Sequence, residues 1–287
     1  MKKILVPTDF SECANYAVRF AGTLARKLNA KIYLLHVIDV LGIEESTEEG
    51  RWATEQREGG SGMVPFKIAL MKKTKTQMEE TISTYLEGVE VEDEIEMGNA
   101  SRHILIAMEK YKPDLVVMGT HGTSGFDEEL IGTHAERVAR KSAVPLLAIK
   151  HPVEREIRKL LFASNFDEKE TPEVFHKVEK LAKDLGADIH LVKVVTPSLF
   201  SGTKETRSQI RKFLDKAGAS EYPFSLFNDT STEKGIVHFA DEIDADMVVL
   251  GTHGRSGFSQ LFKSSVAEGL INHSFIPVLS VPIGSRD

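Results

Sequence analysis

Apolar residues fall along this chain in two alternating rhythms. Short unbroken runs open each half: Ile4–Val6, then Leu160–Ala163. Such runs suit strands buried on both faces of a parallel sheet. After the first run, Ala14, Ala17, Val18, Phe20, Ala21, Leu24 and Leu28 recur at helical spacing. Ser11 stands where an N-cap belongs. Second strands are predicted over Ile32–Val37 and Ile189–Val195. A helix is predicted from about Phe66 to Leu86, then an alternating strand over Val89–Met97. Its acidic run, Glu90–Glu96, reads as the solvated face of an edge strand. Helices at about Ser101–Lys110 and Glu233–Glu242 precede fourth strands at Asp114–Met118 and Asp246–Leu250. A last helix and a last strand, Pro145–Lys150 and Pro277–Pro282, close each half. Strands alternating with helices imply right-handed crossovers and a parallel sheet covered on both faces.

The rhythm is a duplication. Lys112–Phe126 (KPDLVVMGTHGTSGF) and Asp244–Phe258 (DADMVVLGTHGRSGF) share ten of fifteen positions. Lys2–Phe10 parallels Arg158–Phe166, and Leu28–Val37 parallels Leu185–Val194, in the same order. Two domains follow, 1–151 and 152–287, with the boundary near His151–Arg155. The copies differ most at Gly42–Met63, a Gly/Glu-rich stretch holding Trp52 that reads as a long loop or flap.

Composition narrows the function classes. The 287 residues are 41% hydrophobic and 28% charged, enough for two ordinary cores. A net charge of −7 argues against gripping nucleic acid through the overall field, though not against a local anion site. The single cysteine, Cys13, excludes a disulfide framework and fits a reducing compartment. Pro7 and Asp9 interrupt the N-terminal apolar run too early for a signal peptide, and no run approaches a membrane span. A cytoplasmic protein without a membrane partner is expected.

The candidate chemistry sits after the fourth strand. Gly119-Thr120-His121-Gly122 is followed by Gly132-Thr133, giving G-x2-G-x9-G-[ST]. Gly119 and Gly122 permit a sharp turn and leave no Cβ to block a ligand. Gly132-Thr133 falls where a helix begins, whose free N–H groups and dipole favour a phosphate. The first strand delivers Pro7-Thr8-Asp9 to the same carboxyl edge, where open parallel sheets bind ligands. Asp9 can accept from ribose hydroxyls or a base edge, and Val37 can offer backbone groups to adenine.

The turn, its spacing and the Pro-Thr-Asp-Phe-Ser opening resemble the universal stress protein family, and the whole chain resembles a tandem member. The resemblance implies two open five-stranded parallel sheets, Rossmann-like, of strand order 3-2-1-4-5. It implies ATP as ligand, with Mg²⁺ or Mn²⁺ arriving on the phosphates. It places the contacts on Pro7, Thr8, Asp9, Val37, Met118, Gly119, His121, Gly122, Gly132, Thr133 and His134. It also implies that the last strands join the modules into a pseudo-dimer within one chain, leaving a homodimer open.

The second copy departs from this pattern. Asn165 stands for Asp9, Ala163-Ser164 for Pro7-Thr8, and Ser264 for Gly132. Ser265 keeps the hydroxyl, and Arg255 offers a substitute phosphate contact beside Gly251, His253 and Gly254. The second motif therefore reads as degenerate, kept for packing. His121 and His253 read as turn residues or phosphate neighbours, and Cys13 as a small residue in a helix's first turn. No Cys/His cluster has zinc-ligand spacing. Neither a P-loop nor a carboxylate or lysine suited to in-line attack is recognisable. A nucleotide-dependent switch or adaptor is expected ahead of two rivals. One is a slow ATPase or autophosphorylating enzyme with Thr120, Thr123 or Ser124 as acceptor. The other is a non-nucleotide scaffold, or a dimerisation protein that binds another ligand.

Overall fold

The structure is a computed structural model, described here for residues 1–38, 63–120, 133–166, 172–253 and 266–283. The first half runs β1 (Lys3–Thr8), α1 (Glu12–Leu28), β2 (Lys31–Ile38), α2 (Met63–Tyr85), β3 (Val91–Met97), α3 (Ala100–Tyr111), β4 (Leu115–Gly119), α4 (Thr133–Lys141) and β5 (Leu146–Ile149). The second runs β6 (Lys159–Ala163), α5 (Pro172–Leu185), β7 (Asp188–Val195), α6 (Thr203–Ala217), β8 (Phe224–Asn228), α7 (Thr232–Glu242), β9 (Met247–His253), α8 (Val266–His273) and β10 (Val278–Ile283).

The strands form one ten-stranded sheet ordered β3-β2-β1-β4-β5-β10-β9-β6-β7-β8. Each half reads 3-2-1-4-5 and is parallel throughout. The seam is antiparallel: Val278 pairs with Ala148, Leu279 with Leu147 and Ser280 with Leu146. The last strands of the two copies therefore pair with each other. Alternation along each strand feeds two cores. Ile4 and Val6 enter one, with Phe162 and Phe175; Leu5 enters the other, with Leu161 and Val248. Burial on both faces is why these strands read as unbroken apolar runs.

The duplication is written in hydrogen bonds as well as residues. Asp114 Oδ2 accepts from the N–H groups of Lys2 and Lys3, at 2.6 and 3.0 Å. Asp246 Oδ2 does the same for Arg158 and Lys159, at 2.9 Å each. Ser142 and Ser274 each take an N–H two residues on, from Val144 and Ile276. Phe10 (φ 62°) and Phe166 (φ 52°) both hold the left-handed conformation in the turn after the first strand. Such a bulky residue costs about 1–2 kcal/mol there, so surrounding contacts must hold it.

Three expectations change. The second helix begins at Met63, not Phe66. Pro65 is tolerated because first-turn N–H groups lack intrahelical acceptors anyway. In the second copy Gly251-Thr252-His253 continue strand β9 rather than turning, because β10 extends far enough to pair with them through Ile283. The acidic face of β3 is not wholly solvated. Glu94 is half-buried and accepts hydrogen bonds from Tyr111 Oη (2.7 Å) and Lys110 Nζ. Burial pushes its carboxyl upward, but those two bonds outweigh it and hold the group below its usual range. The Gly42–Met63 flap lies outside the described residues except for Met63.

Candidate functional site

Local hydrogen bonds shape the turn that leaves β1. Thr8 Oγ1 accepts from the Phe10 N–H at 3.1 Å, and Asp9 Oδ1 accepts from the Ser11 N–H at 3.0 Å. Ser11 caps α1, its side chain accepting from the Ala14 N–H at 3.2 Å. Asn15 Nδ2 reaches back to the Phe10 carbonyl at 3.3 Å. These short-range bonds replace the ladder the chain abandons at Thr8. They also orient Asp9, because one carboxylate oxygen is committed to the backbone of the turn.

Strand order places the rest. Thr8 pairs with His36 in β2, so Val37 is one residue beyond, at the same edge. Ile4 and Leu5 pair with Leu115 and Val116, and this register carried forward sets Pro7 level with Met118 and Thr8 with Gly119. The chain crosses one way from β1 to β2 and returns on the other side to β4. The gap beyond β1 and β4 is therefore the topological switch point. Pro7, Thr8, Asp9, Val37, Met118 and Gly119 all lie along this rim. Thr133 and His134 open α4, the helix start expected from Gly132-Thr133. His121, Gly122 and Gly132 lie outside the described residues.

Gly119 has a reason other than the one expected. A Cβ built there would stand 2.9 Å from Ala14 N and from Cys13 C and O. The space is filled by the first turn of α1. Thr120 is buried at 1% exposure, so its hydroxyl is out of reach of an incoming phosphate in this conformation. Thr123 and Ser124 lie outside the described residues. Cys13 is half-buried, and its thiol donates to the Ile149 carbonyl at 3.2 Å, tying α1 to the end of β5.

Sequence reasoning missed His36. Its Nδ1–H donates to the Thr8 carbonyl at 2.8 Å, and its ring stacks on Phe10 with centroids 4.4 Å apart. A carbonyl can only accept, so the proton is on Nδ1. Burial pushes the His36 pKa down, against upward pulls from the Thr8 carbonyl and the nearby Asp9 charge. The ring thus clamps the ends of β1 and β2 on which Asp9 and Val37 sit. An imidazole two residues before a strand end carries no such signal in sequence.

The second copy keeps the turn but not its chemistry. Ser164 Oγ accepts from the Phe166 N–H at 2.7 Å, as Thr8 does from Phe10. Asn165 follows, without a charge. Lys193 stands where His36 stands and donates to Gln209 at 2.8 Å. Phe166 turns into an edge-to-face cluster with Phe162 and Phe213. Gly251 and His253 lie in β9, whereas Gly254, Arg255, Ser264 and Ser265 lie outside the described residues. Among the described residues no group of three His, Cys, Asp or Glu is placed to hold a metal ion, and no helix is long and apolar enough to cross a membrane.

Comparison with known proteins gives a consistent result. The sequence model of the universal stress protein family matches residues 1–150 and 229–282. A universal stress protein of Methanocaldococcus jannaschii is 33% identical over 154 residues, spanning 53% of this chain and 83% of its own. One from Synechocystis sp. is 24% identical over 294 residues, spanning 98% and 99%. The crystal structure of a universal stress protein from Archaeoglobus fulgidus superposes with a TM-score of 0.69 at 22% identity, over 98% of both chains.

Proposed function

The chain belongs to the universal stress protein family, and from that premise we propose that it is an adenine-nucleotide-binding regulatory protein holding ATP in its first half. The observation that supports the reading is the placement of Asp9, Val37 and the end of β4 at Gly119 on the switch point between β1 and β4. Asp9, oriented by the Ser11 N–H, receives ribose hydroxyls. The backbone at Val37 receives the base edge. The phosphates go to the start of α4, where Thr133 opens the helix and its dipole favours negative charge. Gly122, Gly132 and His134 complete that end. A divalent cation would enter on the phosphates and screen their charge.

Holding rather than hydrolysing is the reading for the bound nucleotide, because hydrolysis needs a positioned base or water-orienting group. Bound ATP would then present an altered surface to a partner, as a switch or adaptor does. The second half, with Asn165 for Asp9 and Lys193 for His36, holds ATP weakly or not at all. Titration calorimetry of the purified chain with ATP tests this. One site with micromolar affinity is expected, and Asp9→Ala should weaken it at least about tenfold, a loss of about 1.4 kcal/mol. Wild-type affinity in Asp9→Ala refutes the assignment.

A further inference from the structure

The sheet has two outer strands, β3 and β8, and they occupy equivalent places in the two copies. Leu34 and Leu191 are equivalent by the repeat. Leu34 pairs with Asp93 and Leu191 with Phe224. Carried forward, the same registers match Glu94 with Ser225, Ile95 with Leu226, Glu96 with Phe227 and Met97 with Asn228. At all three positions where one edge has a carboxylate, the other has none. A row of charges is how an edge strand resists pairing with another chain. β3 has that guard and β8 lacks it.

The bare edge also presents usable backbone. The Leu191 N–H bonds to the Pro223 carbonyl, and the Asp229 N–H to the Val195 carbonyl. Odd-numbered residues of β8 therefore face β7, and Phe224, Leu226 and Asn228 turn their N–H and C=O groups outward. Phe224, Ser225, Leu226 and Phe227 are only half-buried. Phe224 and Leu226 lie against one core and Phe227 against the other. Both faces of the strand end in apolar surface that one more strand would cover.

We propose that β8 is the contact through which two copies of this chain associate, strand to strand, about a two-fold axis. In an antiparallel pair centred on Leu226, that residue faces its own twin and Phe224 faces Asn228 of the other copy. All three outward positions become hydrogen-bonded pairs, about six bonds in all. The flanking carboxylates, Glu221 and Asp229, fall opposite Ser231 and Pro223, so no two acids meet. The same construction at β3, centred on Ile95, sets Glu94 against Glu96 twice. In a chain of net charge −7, the uncharged edge is the one that lets two copies approach. Self-complementarity of this kind is what a closed dimer requires.

Light scattering on the full chain over a concentration series reads the proposal out. A mass of twice 31.9 kDa is expected. Leu226→Lys, which sets two ammonium groups on the axis, should halve it. Leu226 also touches the core, so a second measurement stands beside this one. In a Cys13→Ser background, Leu226→Cys should form an intermolecular disulfide on mild oxidation, because hydrogen-bonded antiparallel partners sit about 5.5 Å apart. Ile95→Cys, its counterpart on the guarded edge, should not. The proposal is overturned by a wild-type monomer at millimolar concentration, by a dimer that Leu226→Lys leaves intact, or by equal crosslinking at both positions. An edge that took only extended peptides of other proteins would leave the chain monomeric and is excluded by the same mass.

Discussion

Gly119→Ala separates the two reasons a glycine can stand at the end of β4. Were the position kept open for a nucleotide, adding a methyl group would disturb binding and leave the apo protein untouched. The structure requires the opposite order of events. The new Cβ would meet Ala14 N and Cys13 C and O at 2.9 Å, well inside ordinary contact. These are backbone atoms, so no rotamer relieves the clash. The first turn of α1 must withdraw, and it is held by the Ser11 cap and by the Cys13 thiol on the Ile149 carbonyl. Overpacking a tight site costs about 1–3 kcal/mol, and the upper end applies where backbone must move. In urea, at a slope of about 3 kcal/mol per molar, that lowers the midpoint by about 1 M. ATP affinity should fall as well, as a consequence, because Asp9 is oriented by the Ser11 N–H at the start of the displaced turn. Gly88→Ala is the control. Gly88 has φ +74° with no atom within 4 Å of an added Cβ, so only left-handed strain of about 1 kcal/mol applies. If Gly119→Ala unfolds at the wild-type midpoint, or costs no more than Gly88→Ala, the packing argument fails.

Two further perturbations test other parts of the account. Replacing Asp114 or Asp246 by Ala strands two N–H groups at the start of β1 or β6; each should cost about 1–2 kcal/mol, as bonds to an exposed carboxylate do, and chemical denaturation measures it. His36 has its pKa depressed by burial, so the unfolded chain takes up a proton at higher pH than the folded one. Stability should therefore be level above about pH 6.5 and fall as pH drops below it; His36→Leu should flatten part of that slope, leaving the shares of the similarly depressed His151 and His190. A variant whose stability tracks the wild type at every pH from 5 to 8 rejects the burial assigned to that ring.

Much of this fold is legible from the chain because its forces are local or periodic. Strands buried on both faces show as apolar runs, and the Ser11 cap and helix spacing show directly. The antiparallel seam is different: nothing in LLAI or VLSVPI states a register, which emerges only when two edges meet. For Gly119 the sequence offered a turn and an open approach but not the packing reason, since the atoms excluding a Cβ, on Cys13 and Ala14, lie more than a hundred residues away. Glu94 was taken for one more exposed acid of an alternating strand because its partners, Lys110 and Tyr111, come from the next helix. His36 was passed over for the same reason. Its partners, Thr8 and Phe10, come from the first strand and the turn after it, more than twenty-five residues earlier.

The two copies allow the site to be divided into what the fold demands and what a ligand demands. Both copies bend at the same place, with a hydroxyl taking the N–H two residues on and a phenylalanine at positive φ. Both keep a glycine in the fourth strand, the last residue of β4 and an inner residue of β9. Features present twice, in surroundings as unlike as a stacked His36 and a buried aromatic cluster, are explained by the geometry of a strand entering a helix. They are therefore not evidence of a nucleotide in either half. What differs is Asp9 against Asn165, His36 against Lys193, and Gly132 against Ser264. Asp9 and His36 sit on the rim at the switch point, where they also bond to the turn after β1, and Gly132 precedes Thr133, the first residue of α4. Under the proposed function, the Asp9 charge and the His36 clamp are the features a ligand would use, and the first half alone carries both. Asn165→Asp with Lys193→His would restore the carboxylate and the imidazole in the second half. It should leave that half without ATP affinity, because Phe166 is drawn into the cluster with Phe162 and Phe213 instead of lying over the ring at position 193. A second calorimetric site in that double variant would show that the carboxylate and imidazole suffice, and that the stacked aromatic wall contributes nothing.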